Sequence, residues 1–196
     1  MTPQAESILE VFRSTGAYLS GHFRLTSGLH SPAYLQCALV LQDPRHAATL
    51  GGLLAEALRG LAPESAGLVV SPALGGLIIG YEVARSLGAR FIFTERDSSA
   101  RMTLRRGFTV APGEPAFVVE DVITTGGSTR DVVDVLRAAG ARPLAAGSIV
   151  DRSGGRADAG VPRVALVTLE VPSYDPAACP LCAQGIPAVK PGSRPA

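Results

Sequence analysis

The sequence predicts an α/β protein built on a mostly parallel five-stranded sheet flanked by helices. Three observations carry that expectation. Short apolar runs of strand length recur, separated by single stretches with apolar residues at helical spacing, which is how a parallel sheet covered on both faces is written. The 196 residues suffice for one substantial core with a small appendage. Zero tryptophan and 22 glycines suit a tightly turned chain of this class.

Taken in order, Ala5, Ile8, Leu9 and Phe12 fall at i, i+3, i+4 and i+7, so the chain opens on an amphipathic helix ending near Gly16. Residues 18–37 are mostly extended, with turns at Ser20-Gly21 and Ser27-Gly28, and Phe23 and Leu25 share one strand face. Asp43-Pro44 starts a helix, Asp as cap and Pro at the first helical position. Leu50, Leu53, Leu54, Ala57 and Leu58 line its buried face until Gly60. Strands follow at 67–71, 90–94, 116–120, 144–150 and 164–168, with helices at 75–87 and 128–139. Residues 95–114 break this rhythm. They form a long connection carrying Arg96, Arg101, Arg105 and Arg106, with Ser98, Ser99 and Gly107 to let it move. The tail, 171–196, holds six of the 15 prolines and is expected to be irregular.

A formal charge of +1 argues against nucleic-acid binding as the main business. No apolar run approaches 18 residues and no basic-then-apolar start is present, so neither a membrane nor secretion is indicated. Three cysteines do not make a disulfide framework, and the cytoplasm is the expected location.

The chemistry concentrates in AFVVEDVITTGGSTRD, residues 116–131. An apolar strand ends in Glu120 and Asp121, then a loop of glycines and hydroxyls leads into a helix. Glycines let the backbone approach a ligand, and the first helical N–H groups point at it, so the loop suits an anion. Two carboxylates beside an anion need a reason, which sugar hydroxyls or a divalent cation supply. Together they suggest a phosphorylated sugar. The plainer alternative is a helix capped by Ser128 or Thr129. Neither a Walker loop nor a G-x-G-x-x-G fingerprint is present.

VVEDVITTGGST resembles the motif that binds 5-phosphoribosyl 1-pyrophosphate (PRPP) in type I phosphoribosyltransferases. The resemblance implies that Glu120, Asp121, Val122, Ile123, Thr124, Thr125, Gly126, Gly127, Ser128 and Thr129 bind PRPP. It makes Glu120 and Asp121 catalytic, together with Arg96 of the arginine-rich insert. SPALGG, residues 71–76, is similar to the family's pyrophosphate loop, which assigns Ala73, Leu74 and Gly75 to PRPP. FRLTSGLHSP, residues 23–32, resembles the N-terminal hood of orotate phosphoribosyltransferases, and Tyr34 and Leu35 fall where that family covers the pyrimidine. Asp151-Arg152 matches the family's D-R pair, so the resemblance puts Arg152, with Thr124, on orotate. A guanidinium fork suits a carboxylate and carbonyls; the structural alternative pairs Arg152 with Asp151 or Asp158. Departures are Thr26 and Gly75, where many members carry lysine, and ERDSSARMTLRRGF, where the family's mobile loop carries lysines and a histidine.

The implied organisation is a helix and hood over 1–42, a core over 43–170 and a proline-rich segment over 171–196. The implied reaction is transfer of ribose 5-phosphate from PRPP to N1 of orotate. Mg²⁺ is held mainly by PRPP and water, without a direct protein cage, and a homodimer shares its sites through the mobile loop of Arg101, Arg105 and Arg106. The alternatives are an enzyme of this fold using a purine or uracil, a PRPP-sensing regulator without turnover, and an unrelated α/β oxidoreductase.

Cys179-Pro-Leu-Cys182 has the spacing of half a zinc knuckle. One pair is not a site, and the remaining candidates are Cys37, His22, His30 and His46. A redox pair, a structural turn or an occasional disulfide are the other readings.

Overall fold

A helix cap sets where the chain first orders itself. The Thr2 hydroxyl accepts from the Ala5 N–H at 3.2 Å, and helix α1 (Pro3–Ser14) follows. It buries Ala5, Ile8, Leu9 and Phe12, the residues whose spacing predicts it. The computed structural model describes residues 2–25, 27–62 and 64–191, so Thr26 and the last tail residues, 192–196, lie outside the described residues. The chain divides into two units, one from Met1–Val40 with Glu170–Ala196 and one from Leu41–Leu169.

In the first unit, α1 leads to strands β1 (Tyr18–Arg24) and β2 (His30–Leu35), paired antiparallel. Their register shifts between Ser20 and Phe23, so Gly21 and His22 stand opposite Pro32. A bulge there sacrifices little, because Pro32 has no N–H for the ladder. The extra residue breaks the in–out alternation, and His22 and Phe23 are buried in succession. The C-terminal segment joins this hairpin through single bridges, Tyr174 to His30 and Val189 to Phe23. Between them lie a 3₁₀ turn (Pro176–Ala178) and a one-turn helix (Pro180–Ala183), which is the regularity that six prolines permit.

A five-residue helix, α2 (Cys37–Leu41), leads into the second unit; the sequence pattern did not announce it. Helix α3 (Pro44–Leu61) starts as expected, with Asp43 Oδ1 accepting from the Arg45 N–H at 2.9 Å. Then come β3 (Leu68–Pro72), α4 (Gly76–Leu87), β4 (Arg90–Arg96), β5 (Met102–Leu104), β6 (Pro115–Ile123), α5 (Gly127–Ala138), β7 (Arg142–Asp151) and β8 (Arg163–Thr168). The sheet order is β5-β4-β3-β6-β7-β8, parallel throughout except for β5.

The sheet therefore has six strands, where the pattern predicts five. The sixth comes from the arginine-rich insert, which folds back antiparallel on β4 instead of forming only a loose connection. Met102 is buried and joins the core, and Leu104, Phe108 and Val110 pack against that cluster. Leu68, Val70, Ala116, Val118 and Ala146 share the cluster with Val132, Val133 and Leu136 of α5. The alternate positions Val69, Phe117 and Val119 are equally buried, on the face where α3 and α4 lie.

Candidate active site

After β3 the chain crosses by α4 to β4 on one side; after β6 it crosses by α5 to β7 on the other. The carboxyl ends of β3 and β6 thus flank a topological switch point, where open α/β sheets bind ligands. The loop of residues 73–75 leaves β3 here, and residues 124–126 leave β6, whose carboxyl-terminal part carries Glu120 and Asp121. The two are in close approach. A Cβ on Gly75 would lie 2.7 Å from both carboxylate oxygens of Asp121, so any side chain there would push that carboxylate aside. Leu74 is 75% exposed, and the Ala73–Leu74 peptide is cis.

Thr124, Thr125 and Gly127 are exposed and Ser128 is half-buried, so the loop presents its backbone and hydroxyls outward. Gly126, at φ 87°, precedes the first turn of α5, and no side chain caps that helix. A side chain at Gly126 would collide with the backbone carbonyl of Asp158. Left-handed geometry and lack of space make the same demand. The cap of the plainer alternative does not form: the buried Thr129 hydroxyl turns back and donates to Glu120 Oε2 at 2.5 Å.

Burial pushes the Glu120 carboxyl up to about 7; the Thr129 hydrogen bond opposes this, and the neighbouring Asp121 charge adds to it. Burial likewise raises Asp121, against the pull of the Val122 N–H and its own. Both carboxylates thus sit where negative charge is unfavourable. Val122 is half-buried and Ile123 fully so, which leaves the backbone as what they offer a ligand.

Arg96 reaches toward this end of the sheet. Its Nη2 donates to Asp131 Oδ2 of α5 at 2.9 Å and its Nη1 to the Ala100 carbonyl at 2.7 Å. Arg96, Ala100, Arg101, Met102, Asp131 and Asp134 line a cavity of about 330 Å³. Asp131 is a residue that sequence reasoning missed, although the quoted motif ends on it. The other insert arginines are also engaged. Arg101 pairs with Asp97 at 3.0 Å, and Arg106 pairs with Glu95 at 2.7 Å and lies 5.5 Å from the Phe93 ring centroid. Arg105 is exposed.

The β6–β7 register aligns Ile123 with Asp151, and the Arg152 N–H donates to the Ile123 carbonyl at 2.8 Å. Arg152 is buried beside the start of the glycine and hydroxyl loop. Asp151 is bonded to Arg163 and to Ser153, whose N–H and hydroxyl donate at 2.7 and 2.6 Å; Asp158 pairs with Arg130. In the first unit, Tyr34 is half-buried 5.9 Å from the Phe23 ring, and Leu35 is buried.

Residues 39–166 match the phosphoribosyl transferase domain family. Over 189 residues the chain is 55% identical to orotate phosphoribosyltransferase of Pelotomaculum thermopropionicum, covering 96% of this chain and 97% of that one. The chain belongs to the orotate phosphoribosyltransferase family. A second member, from Heliobacterium modesticaldum, is 53% identical over 192 residues, 96% of this chain and 98% of the other. The fold of this phosphoribosyltransferase matches the crystal structure of orotate phosphoribosyltransferase from Aeropyrum pernix with a TM-score of 0.67 and 29% identity, covering 83% and 94% of the two chains. No helix among the described residues is long and apolar enough to cross a membrane.

Proposed function

We propose that this chain transfers ribose 5-phosphate from PRPP to N1 of orotate, releasing pyrophosphate and orotidine 5′-phosphate. The observation that carries the reading is the half-buried pair of carboxylates, Glu120 and Asp121, at the carboxyl end of β6 beside an outward-facing glycine and hydroxyl loop at the switch point. Thr124, Thr125, Gly126, Gly127 and Ser128 bind the 5-phosphate through N–H groups and hydroxyls. Glu120 and Asp121 hold the ribose hydroxyls and stabilise the positive ring as the pyrophosphate leaves. Thr129 is a positioning residue that orients Glu120.

Electrostatic stabilisation of this kind depends on groups fixed before the reaction, and both carboxylates are fixed by the sheet. Residues 73–75 approach the pyrophosphate through their backbone. Arg96 supplies cationic hydrogen bonds to it after exchanging Asp131 for substrate. Arg152, beside Thr124, meets the orotate carboxylate.

Two carboxylates raised by burial are a donor set short of positive charge, which fits a Mg²⁺–PRPP complex. Glu120 and Asp121 would face the ion through the ribose hydroxyls and water. When bound, Mg²⁺ offsets the charge of the departing pyrophosphate. The deciding assay mixes the chain with PRPP, Mg²⁺ and orotate and follows orotate absorbance. Turnover requiring all three is expected. Turnover with a purine or uracil in place of orotate would overturn the base, and saturable PRPP binding without pyrophosphate release would overturn the enzyme.

We further infer a cytoplasmic homodimer whose sites are completed by the insert of the partner. A subunit carrying Asp121→Asn, mixed with one carrying Ala at Arg101, Arg105 and Arg106, should regain up to about half of wild-type activity per mixed dimer. Confirmed subunit exchange without recovery would place the insert's role within its own subunit.

A further inference from the structure

Four side chains outside the proposed catalytic residues converge within the first unit. His22 lies in the β1 bulge and His30 opens β2, while Cys179 and Cys182 bracket the Pro-Leu of the one-turn helix. Their ligand atoms all lie within 4.8 Å of one another. His22 Nε2 is 2.8 Å from His30 Nδ1, 3.4 Å from Cys179 Sγ and 3.9 Å from Cys182 Sγ; Cys182 Sγ is 3.3 Å from His30 Nδ1. Cys37 and His46, the other two candidates, are not in the cluster.

We propose that His22, His30, Cys179 and Cys182 form a structural zinc site that ties the β1–β2 hairpin to the C-terminal segment. This rests on the cluster alone and is independent of the reaction proposed above. Bonds of ~2.0–2.1 Å to nitrogen and ~2.3 Å to sulfur place tetrahedral ligand atoms about 3.3–3.8 Å apart. Three of the four sulfur–nitrogen separations, 3.3, 3.4 and 3.9 Å, lie in or next to that range, and all pairs stay within 4.8 Å. The two histidine nitrogens, at 2.8 Å, open by about half an ångström to admit the ion.

The tautomer is already set. His22 Nδ1 lies 2.6 Å from the Ile186 carbonyl, so it carries the proton and leaves the Nε2 lone pair facing the cluster. A carbonyl on the far nitrogen is also how metal-bound histidines are oriented. One lone pair with three polar atoms around it satisfies only some of them by hydrogen bonding, whereas one cation satisfies all four. Two thiolates and two imidazoles in tetrahedral array select zinc over harder ions, and four protein ligands leave no open position for catalysis.

The backbone supports the same link. Bridges already join Tyr174 to His30 and Val189 to Phe23, on either side of the cysteines. The unit is assembled from the two ends of the chain around few large buried side chains, and small cores commonly need a metal or disulfide staple. Cysteine binds zinc as thiolate, so the ion displaces protons on binding and loading weakens as pH falls.

The test uses the full chain purified under reducing conditions. Elemental analysis should find one zinc per chain. After chelator treatment, Co²⁺ titration should end at one equivalent with thiolate-to-cobalt charge-transfer absorption and the strong d–d bands of a tetrahedral centre. Cys182 is exposed, so Cys182→Ser should fold; it should weaken Co²⁺ binding by at least the ~100-fold that loss of even an outer-sphere partner can cost. Cys37→Ala should bind like the parent. Zinc should raise the melting temperature of the parent and leave that of Cys182→Ser unchanged. Less than a tenth of an equivalent of metal after reduction and zinc saturation would overturn the site. So would a cobalt spectrum unchanged in Cys182→Ser, or a Cys179–Cys182 disulfide whose reduction yields no metal uptake.

Discussion

Two neighbouring strands end in acids that meet opposite fates. Asp151, at the end of β7, is fully buried, yet it is held below the usual carboxylate range: burial pushes it up, and bonds from Ser153 and Arg163 outweigh that. Glu120 and Asp121, near the end of β6, are held above their usual range because burial is not offset by a comparable cation. Residues that serve the fold find their counter-charges within the chain. Glu120 and Asp121, which we propose serve a ligand, are left short of them until it binds.

The comparison breaks most visibly at Asp151. Asp151→Ala leaves the largely buried Arg163 without its partner and should cost about 3–5 kcal/mol in chemical denaturation. A loss below about 1 kcal/mol would show that Asp151 is no more an anchor than Glu120. Asp121→Asn should do the reverse. Turnover falls on the order of 10²-fold, while the melting temperature holds or rises because an uncompensated buried charge is gone. Near-normal turnover would remove Asp121 from the reaction.

The two ends should also respond oppositely to pH. Glu120 titrates near 7 when folded against an ordinary value of 4.5, so its contribution to stability is present below 4.5 and is lost as pH rises to about 7. The depressed Asp151 contributes above the ordinary aspartate range and loses that contribution on acidification. Glu120→Gln should flatten the stability profile between those values, as measured by urea denaturation across pH. An unchanged profile would contradict the raised carboxyl. The smallest effect is expected from Thr129→Val. The hydroxyl lowers Glu120's pKa, so its loss should move the same transition to higher pH; movement to lower pH would reverse the assigned role.

Much of this was legible where signal is local. The apolar strand, acidic pair, glycine loop and helix lie consecutively at residues 116–138, and α3 announces itself through Asp43-Pro44. What escaped depends on distance along the chain or on shortness. Strand β5 has three residues within an arginine-rich stretch, too few for a period of two to register. Arg96 finds Asp131 across 35 positions, and Cys179 finds His22 across 157. Spacing announces only half of such a cluster; the β1 bulge and the returning C-terminal segment supply the rest.

Strand β5 has a consequence for the behaviour of the protein in crowded solution. It closes one edge of the six-stranded sheet, and an open edge is a template on which another chain can add a strand. A three-residue edge offers few unpaired N–H and C=O groups, and Arg101, Arg105 and Arg106 flank it with positive charge. Arg101 and Arg106 are paired with Asp97 and Glu95, so what another strand would meet there is a row of solvated ion pairs and the exposed Arg105, which it would have to desolvate. The insert that presents arginines to a pyrophosphate in this proposal thereby also keeps the sheet from growing.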